Sequence, residues 1–501
     1  MSAVSVTELL YANAAERADA EAVVHHGERV TWGELVDQVE RLARGLAANG
    51  IRAGDAVALV LRDDPWYVAS FHAVSALGAI VVPVNPAFKQ AELEFVFRTG
   101  EVRCVIADER SAGVCERIAA ALEGPVTVVA TSDAHGQSLT IDALVEGPPA
   151  DRLAPRDPDE TFVYQFSSGS TGRPKRVPRT HGQCAAEAAL YASLGMTAED
   201  RIFSAIPLFH TWGQGACLLA PAATGATVVI LEDPNPFLLQ RHRALELLER
   251  ERATIFPGVP FQFRLLAEAP DGADLSALRL CFSAGTALPR ETFEAFGEKY
   301  GVLVRQLYGA TEAGVIAANM DPDPVATFES VGRPVGEIDV AIVDDDGQMV
   351  PAGEVGEVAF SSPALTDGYS NLDDVNRTAF RDGRFFTGDL GRLDAEGRLY
   401  IAGRKKLLLE VGGYKVDPIE VEDVLVAHPK VVEAVVVGVP GRADGEETVK
   451  AVVVPDDDCD DRELIRFCQE RLANYKVPRI VEFRDEIPKS PLGKILRKYL
   501  V

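Results

Sequence analysis

The sequence TFVYQFSSGSTGRPK, residues 161–175, combines an apolar run with a loop rich in hydroxyl groups and glycine. The apolar part, residues 161–166, predicts a buried strand. The loop from Ser167 to Lys175 would let backbone N–H groups approach a polyphosphate, and its cations would add positive charge. A flexible surface turn is the alternative, because Gly and Ser are also common turn residues. The spacing of a Walker loop is absent.

Apolar segments rich in Val and Ile alternate with amphipathic segments elsewhere in the chain. Residues 56–84 and 227–256 show this alternation most clearly. Short apolar strands separated by helices predict parallel sheets with helices on both faces. From about residue 331, short strands and Asp-Gly turns follow one another with little helix between them, which predicts a small β-rich part.

The pattern of predicted helices and strands changes again near Gly403. After that residue, we predict helices over 419–426 and 461–473 and strands over 431–437, 450–454 and 480–483. This set has the size of a small α+β domain. We therefore predict an α/β protein with a large N-terminal domain at 1–403, including the β-rich part at 331–403, and a small α+β C-terminal domain at 404–501.

The composition excludes some classes of function. The chain has 501 residues, of which 47% are hydrophobic and 25% charged, so wholesale disorder is excluded. Its formal net charge of −26 argues against a duplex nucleic acid as partner, because phosphate neutralisation needs a basic surface. A small anionic ligand stays possible, since it needs only a local basic pocket.

The cysteines and the apolar segments indicate the cellular location of the protein. The seven cysteines contain no CxxC pair, so neither a disulfide framework nor a zinc ribbon is predicted. The N-terminus lacks the basic start and apolar run of a signal peptide. The longest apolar stretch, residues 66–84, is interrupted by polar residues and predicts a buried helix followed by a strand instead of a membrane span. We therefore expect a cytoplasmic protein.

Further segments form an ordered set with the loop at 167–176. They are YGATE at 308–312, TGDL at 387–390, GRKK at 403–406 and PKSPLGK at 488–494. This set resembles the motifs of the AMP-forming adenylate ligases, which include acyl-CoA synthetases, nonribosomal adenylation domains and luciferases. The chain is most similar to the acyl-CoA synthetases. It departs from the family at Arg176, where the family has Gly, and we expect the Arg176 side chain to lie outside the phosphate loop.

The resemblance implies a ligase that joins a carboxylic acid to ATP, releases pyrophosphate and passes the acyl group to a thiol. ATP, Mg²⁺ and coenzyme A are the implied cofactors, and a small carboxylic acid, expected to be a fatty acid, is the implied substrate. One alternative is an acyl-AMP ligase that loads the phosphopantetheine of a carrier protein in trans, because no carrier segment follows Lys494. A non-catalytic nucleotide-binding protein is the second alternative, and the joint presence of Lys494, Glu312 and Asp389 speaks against it.

The resemblance also implies which residues contact the nucleotide. Tyr308 would offer an aromatic face to adenine, although core packing is also common for Tyr. Asp389 would accept both ribose hydroxyls, although an isolated Gly-Asp is usually a turn. The full implied set is Ser167, Ser168, Gly169, Ser170, Thr171, Gly172, Lys175, Ala284, Gly285, Thr286, Tyr308, Gly309, Asp389 and Arg404.

Another group of implied residues would act on the reacting groups. Lys494 would offset charge that develops on the α-phosphoryl oxygens, unless it is an ordinary solvated lysine. Thr311 would donate to the α-phosphoryl group. Glu312 would ligate Mg²⁺, and it could also be an acidic residue at a helix N-terminus. His210, in PLFHTWG at 207–213, would donate to the acid's carboxylate or close its pocket, although a lone His is more often structural.

The two half-reactions need different groups at the same carbon atom. The resemblance implies that Lys406 lies at the hinge of residues 404–406 about which the small domain pivots. Gly412 and Gly413 would face the thiol acceptor after this rotation, and a simple loop turn is the alternative. No charged residue near residues 207–215 stands out as a partner for an amino-acid ammonium group, which favours a simple carboxylic or fatty acid.

Overall fold

A computed structural model describes residues 4–132, 139–146, 152–167, 174–232, 237–344, 346–404, 409–441, 447–456, 459–488, 497 and 500–501. The strands are β1 (Glu21–His25), β2 (Glu28–Thr31), β3 (Ala56–Val60), β4 (Ile80–Pro83), β5 (Val102–Ala107), β6 (Thr127–Ala130), β7 (Thr161–Ser167), β8 (Lys175–Thr180), β9 (Arg201–Ser204), β10 (Thr227–Ile230), β11 (Ile255–Gly258), β12 (Leu280–Ser283), β13 (Val304–Ala310), β14 (Gly314–Ala318), β15 (Arg333–Pro334), β16 (Asp339–Val343), β17 (Gly356–Ser361), β18 (Phe380–Arg381), β19 (Arg384–Leu393), β20 (Leu399–Arg404), β21 (Leu409–Val411), β22 (Tyr414–Val416), β23 (Val431–Pro440), β24 (Glu447–Pro455) and β25 (Ile480–Phe483).

Helices connect many of these strands. They are α1 (Val6–Glu16), α2 (Trp32–Ala48), α3 (Pro65–Leu77), α4 (Gln90–Thr99), α5 (Ala112–Ala121), α6 (Ile141–Val145), α7 (His181–Ser193), α8 (Thr211–Gln214), α9 (Ala220–Thr224), α10 (Phe237–Arg250), α11 (Pro260–Ala267), α12 (Arg290–Tyr300), α13 (Asp373–Ala379), α14 (Pro418–Val426) and α15 (Asp461–Gln469). A π-helical turn, Gly215–Leu219, joins α8 to α9.

The chain divides into two compact units. The first comprises Met1–Pro86, Phe97–Gln165 and Arg176–Gly403. The second comprises Ala87–Val96, Phe166–Lys175 and Arg404–Val501.

The first unit contains a long sheet with the strand order β15-β14-β13-β12-β11-β9-β10-β1-β2. From β13 to β1 the neighbouring strands are parallel, and the pairs at both ends are antiparallel. Every residue of β10, β11 and β12 is buried, as expected for strands covered on both faces. The prediction of a large α/β domain with mostly parallel sheets is therefore confirmed.

A further sheet has the order β6-β5-β3-β4-β7-β8, with parallel pairs from β6 to β7. Helix α3 follows β3 and is buried along almost its whole length. Asp64 caps the helix by accepting the Tyr67 N–H, and Pro65 occupies its first position. Gly78 ends the helix with a φ of 77°, a conformation in which a side chain would be strained.

The β-rich part predicted from residue 331 is present within the first unit. Its strands have the order β16-β17-β19-β18, and β20 pairs with β19. Asp382 and Gly383 connect β18 to β19 with φ values of 52° and 73°. Positive φ at both central residues matches the tight hairpin turn that the Asp-Gly pair predicted.

In the second unit, β23, β24 and β25 form a sheet that packs with α14 and α15 around an apolar core. This composition confirms the predicted small α+β set. Lys476 is buried within the unit, and its ammonium group donates to Glu92 at 3.0 Å and to Glu420 at 2.9 Å. In the described part of the chain, no helix is long and apolar enough to cross a membrane.

Candidate active site

Several predicted site segments follow strands that end at one edge of the long sheet. Residues 207–213 follow β9, and residues 284–287 follow β12. Tyr308 lies near the end of β13, and residues 311–313 form the turn after it. Because these strands are parallel, their carboxyl ends meet at the same edge, where open α/β sheets bind their ligands.

Tyr308 and Asp389 come from motifs that lie 81 residues apart, and the structure joins them. The Tyr308 hydroxyl donates to Asp389 Oδ2 at 2.5 Å. Asp389 is largely buried in β19, and its amide donates to Thr387 Oγ1 at 3.0 Å. Gly388, between them, has a φ of 75°, which explains why this position is Gly. The hydrogen bonds therefore fix the Tyr308 ring and the Asp389 carboxylate relative to each other.

Glu312 lies in the turn between β13 and β14, so the alternative of an acid at a helix N-terminus is wrong. Its side chain is buried, and Oε1 accepts the hydroxyl of Tyr369 at 2.7 Å. Its carbonyl accepts the Thr366 N–H at 2.8 Å, which fixes the turn. A carboxylate offers more acceptor positions than one donor fills, so the group retains capacity for a hard cation. Thr311 is half-buried beside it.

His210 is exposed and caps the short helix α8. Its Nδ1 accepts the backbone N–H of Trp212 at 3.1 Å. The neutral ring therefore carries its proton on Nε2, which is the atom that can donate to a carboxylate. The loop that precedes His210 is held by the buried Asp63, which accepts the Leu208 N–H at 3.0 Å.

A pair of buried amides lies behind this loop. Gln165 of β7 donates through Nε2 to the side-chain oxygen of Gln214 in α8. The Nε2 of Gln214 in turn donates to the Phe209 carbonyl at 3.4 Å. The strand that precedes the phosphate-loop sequence is thus bonded to the helix that follows His210. Neither glutamine belongs to a motif, so no sequence pattern marks this link.

The segment predicted to lie under adenine begins where β12 ends. Ala284 is buried, and its N–H donates to the Gly258 carbonyl at 3.2 Å. Gly285 is exposed, with a φ of 91° that disfavours any side chain. Thr286 is half-buried, and Gly309, near the end of β13, is exposed. These small residues leave backbone accessible at the sheet edge.

Part of the predicted phosphate loop lies within the described residues. Ser167 ends β7 and Lys175 begins β8, whereas Ser168, Gly169, Ser170, Thr171 and Gly172 lie outside the described residues. The Arg176 side chain donates to the Thr99 carbonyl at 2.8 Å and is 3.3 Å from Glu101. Its guanidinium also lies 4.7 Å from the centre of the Tyr164 ring. The side chain that replaces the family Gly is thus held by these contacts.

The second unit carries the remaining predicted residues. Arg404 is the last residue of β20, and Lys406 and Lys494 lie outside the described residues. Gly412 and Gly413 form the turn between β21 and β22, with φ values of 58° and 82°. Positive φ at both positions requires glycine or a similarly tolerant residue, so the turn itself explains the Gly pair.

The structure also shows neighbours of the site that carry no motif. Tyr369 bonds Glu312, and Asp63 holds the loop of His210. Arg179 and Glu187 form a fully buried ion pair at 2.6 Å, and an Arg179 nitrogen also lies 3.5 Å from the carbonyl of Ala313, next to Glu312. A buried charge next to a motif is a signal of function, but burial is visible only after folding.

Comparison with known proteins identifies the family. Residues 10–370 match the AMP-binding enzyme family, and residues 420–494 match the AMP-binding enzyme C-terminal domain. The first match alone spans more than half of the chain. The chain therefore belongs to the AMP-binding enzyme family, and it is an acid–thiol ligase.

Individual relatives cover nearly the whole chain. A long-chain-fatty-acid–CoA ligase of Bacillus subtilis is 31% identical, over 99% of this chain and 94% of the relative. A feruloyl-CoA synthase of an Amycolatopsis species is 34% identical, over 95% of this chain and 94% of the relative. The solved structure of the amide bond synthetase McbA from Marinactinospora thermotolerans superposes with a TM-score of 0.89 at 30% identity, over 99% of both chains.

Proposed function

We propose that this protein activates a carboxylic acid with ATP and transfers the acyl group to coenzyme A. In the first step, a carboxylate oxygen of the acid bonds to the α-phosphorus of ATP, and the bond to pyrophosphate breaks. In the second step, the thiol sulfur bonds to the acyl carbon, the thiol loses its proton, and AMP leaves with the electrons of the broken C–O bond. The relatives named as CoA ligases and the ordered motifs support both steps.

The hydrogen bond between Tyr308 and Asp389 carries this proposal. It joins an aromatic ring near the end of β13 to a carboxylate, and Ala284 and Gly285 follow the neighbouring strand β12. A flat base and a ribose diol need these groups side by side. We propose that adenine lies against Tyr308, Ala284, Gly285, Thr286 and Gly309, that Asp389 accepts from the ribose hydroxyls, and that Arg404 adds a donor.

Charge must be offset while two anions react. We propose that Glu312, with its remaining acceptor positions, holds Mg²⁺ together with phosphate oxygens, and that Thr311 donates to the α-phosphoryl group. The metal would neutralise phosphate charge when bound. Lys494 would place its ammonium group on the α-phosphoryl oxygens, and Ser167–Gly172 and Lys175 would bind the phosphates leaving as pyrophosphate.

His210 supplies the acid side of the site. The Nε2–H of its neutral ring can donate to the carboxylate that attacks ATP. The names of the relatives include acids as different as a long-chain fatty acid and ferulate. The acid-binding pocket of each individual chain therefore determines which acid that chain activates. We propose a simple carboxylic acid without an α-ammonium group, and the sequence favours a fatty acid within this class.

The second step needs a different arrangement of the same site. We propose that residues 1–403 and 404–501 act as two domains with a hinge at 404–406, that Lys406 is the pivot, and that Gly412 and Gly413 line the path of the thiol. Coenzyme A is the proposed acceptor, and the phosphopantetheine of a carrier protein is the competing one. Buried thiols such as Cys104 and Cys217 support a reducing location, the cytoplasm.

Pyrophosphate release across a broad panel of carboxylic acids tests the proposal. At least one acid should give ATP-dependent release, and adding coenzyme A should give the acyl-CoA. Asp389→Ala should raise the KM for ATP by about tenfold or more, because a charge-assisted hydrogen bond to the nucleotide is lost. The matched control is Asp374→Ala on the exposed face of α13, which should behave like the wild type. If no acid in the panel gave pyrophosphate release, the enzymatic assignment would be contradicted. Exclusive transfer of the acyl group to a carrier protein would contradict coenzyme A as the acceptor.

A further inference from the structure

We propose that His25, His26 and Glu232 form a binding site for a divalent transition-metal ion of the Zn²⁺ type. A ligand atom of each of these side chains lies within 4.8 Å of the ligand atoms of the other two. All three residues belong to the first compact unit. The site lies far from the candidate Mg²⁺ ligand Glu312. β13, which precedes Glu312, is five strands away from β1 in the long sheet, or about 24 Å at ordinary strand spacing.

The long sheet brings the three side chains together. β1 and β10 are parallel neighbours, with Val24 opposite Val229, so their carboxyl ends lie side by side. His25 is the last residue of β1, and Glu232 follows β10 by two residues. The N–H of Leu231 donates to the carbonyl at the end of β9 at 2.9 Å, which fixes the chain directly before Glu232. The sheet therefore holds two of the three ligands in place.

His26 stands in a hairpin turn that does not itself call for histidine. His25 pairs with Glu28 across the two-residue turn formed by His26 and Gly27, whose φ values are 51° and 84°. Turns with positive φ at both central residues favour Asn-Gly or Asp-Gly. The turn geometry thus accounts for Gly27 and not for the imidazole of His26, whereas a ligand role accounts for that imidazole.

The contacts among the side chains fit a set of metal ligands. His26 Nε2 is hydrogen-bonded to Oε2 of Glu232, and the two imidazole rings lie 4.3 Å apart between centroids, inclined by 69°. Within the described residues, the buried Nε2 of His25 has no hydrogen-bond partner. Buried polar atoms are rarely left unpaired, and a bound ion is one of the few explanations for an exception. An ion pair between His26 and Glu232 alone would not explain His25.

The charges beside the three ligands favour a cation. The guanidinium group of Arg62 lies 3.9 Å from Glu232, and it also lies 3.4 Å from Asp108 and 3.8 Å from Glu109. Three carboxylates therefore surround one guanidinium group, and neutral imidazoles add no positive charge. The resulting excess of negative charge suits a divalent cation.

The chemistry of the ligand atoms selects the kind of metal. Two imidazole nitrogens and one carboxylate suit Zn²⁺ and its neighbours in the first transition row, with water completing the coordination, whereas Mg²⁺ prefers oxygen ligands. Zn–N distances of about 2.0–2.1 Å bring the ligand atoms closer together than 4.8 Å. His26 is exposed, so its ring is free to turn and close the remaining distance.

Isothermal titration of the full-length, chelator-treated chain with Zn²⁺ tests this inference. Excess Mg²⁺ is present throughout, so that sites made of oxygen ligands are occupied. One Zn²⁺ should bind per chain, and His26→Asn and Glu232→Gln should each weaken its binding by about tenfold or more. His26→Asn retains a favoured turn sequence, Asn-Gly, so its loss of binding would not reflect a disrupted hairpin. His242→Asn, at an exposed histidine of α10, is the matched control and should bind like the wild type.

Thermal unfolding gives a second readout. Zn²⁺ at a hundred times its Kd should raise the midpoint of the wild type by about 3 °C, and the same concentration should raise that of His26→Asn by less than about half as much. No Zn²⁺ binding by the wild type, or equal binding by His26→Asn, would overturn the inference. Lower stability of metal-free His26→Asn with unchanged Zn²⁺ affinity would also overturn it, because His26 would then serve only the ion pair with Glu232. Neither measurement uses ATP or an acid, so both are independent of the proposed function.

Discussion

Replacing Arg179 by methionine would leave the Glu187 carboxylate buried without its cation. The pair is enclosed, with the two side chains 2% and 1% exposed and their charged atoms 2.6 Å apart. Breaking such a pair from one side costs about 3–5 kcal/mol. A unit of roughly 400 residues unfolds with an entropy near 0.8 kcal/mol per degree, so the midpoint of thermal unfolding should fall by about 5 °C.

The loss should depend on pH in a defined direction. Burial already raises the pKa of Glu187, and the attraction of Arg179 opposes that rise. Without Arg179 the folded-state pKa rises further above the unfolded value, so the folded state binds a proton more strongly. The free energy of unfolding of the variant, relative to the wild type, should therefore be least reduced near pH 5 and fall further toward pH 8.

Thermal unfolding of three variants at pH 5 and pH 8 measures this effect. The double variant Arg179→Met with Glu187→Gln should recover most of the lost stability, because replacing both partners avoids an unpaired buried charge. Arg243→Met is the matched control: its ion pair with Glu246 lies on the surface of α10, and its loss should cost less than about 1 kcal/mol. A double variant no more stable than Arg179→Met, or a deficit independent of pH, would refute the reasoning.

Further variants probe a helix cap, the turn of Glu312 and a close backbone approach. Burial raises the pKa of Asp64 to about 6, so the contribution of Asp64 to stability is lost as pH rises through that value. Asp64→Asn keeps the helix cap, and its free energy of unfolding should exceed that of the wild type by up to about 3 kcal/mol at pH 7 and should equal it below pH 4. Thermal unfolding measures this difference. Tyr369→Phe removes the donor to Glu312 and should raise the KM for MgATP in pyrophosphate exchange by about tenfold, and an unchanged value would argue against Glu312 as the metal ligand. Gly332→Ala would place a Cβ 1.9 Å from a carbonyl oxygen at a φ of 89° and should lower the free energy of unfolding by about 3 kcal/mol or more. Gly347→Ala, with a φ of 80° and open space around the new Cβ, should lower it by about 1 kcal/mol. Equal losses of stability in chemical denaturation would contradict this reasoning.

The elements buried on both faces could be predicted from the sequence. Residues 56–84 were expected to form a strand, a helix and a strand, and β3, α3 and β4 occupy those positions. Continuous apolar runs are sufficient for such elements, because no solvent-facing side chains interrupt the pattern. Tyr308 and Asp389 were also assigned to one ligand, and the structure bonds them to each other.

Single polar residues that support the site could not be predicted. Tyr369, Asp63 and Glu187 each stand alone in the sequence, and their partners lie on other elements, so neither periodicity nor spacing marks them. The alternative of a helix N-terminus at Glu312 was wrong for a related reason. An acid next to small residues suits a helix start, but the pairing of β13 with β14 forms a tight turn there instead.

Acid-dependent exchange of labelled pyrophosphate into ATP, in the wild type and in Lys494→Ala, tests the central claim most directly. The exchange reports formation of the acyl-adenylate without any acceptor thiol. We predict exchange in the wild type with a suitable acid, a fall of about a hundredfold or more in Lys494→Ala because the cation on the α-phosphoryl group is lost, and little change in the neighbouring control Lys498→Ala. Exchange by Lys494→Ala at the wild-type rate, or wild-type exchange that does not depend on the acid, would contradict the account.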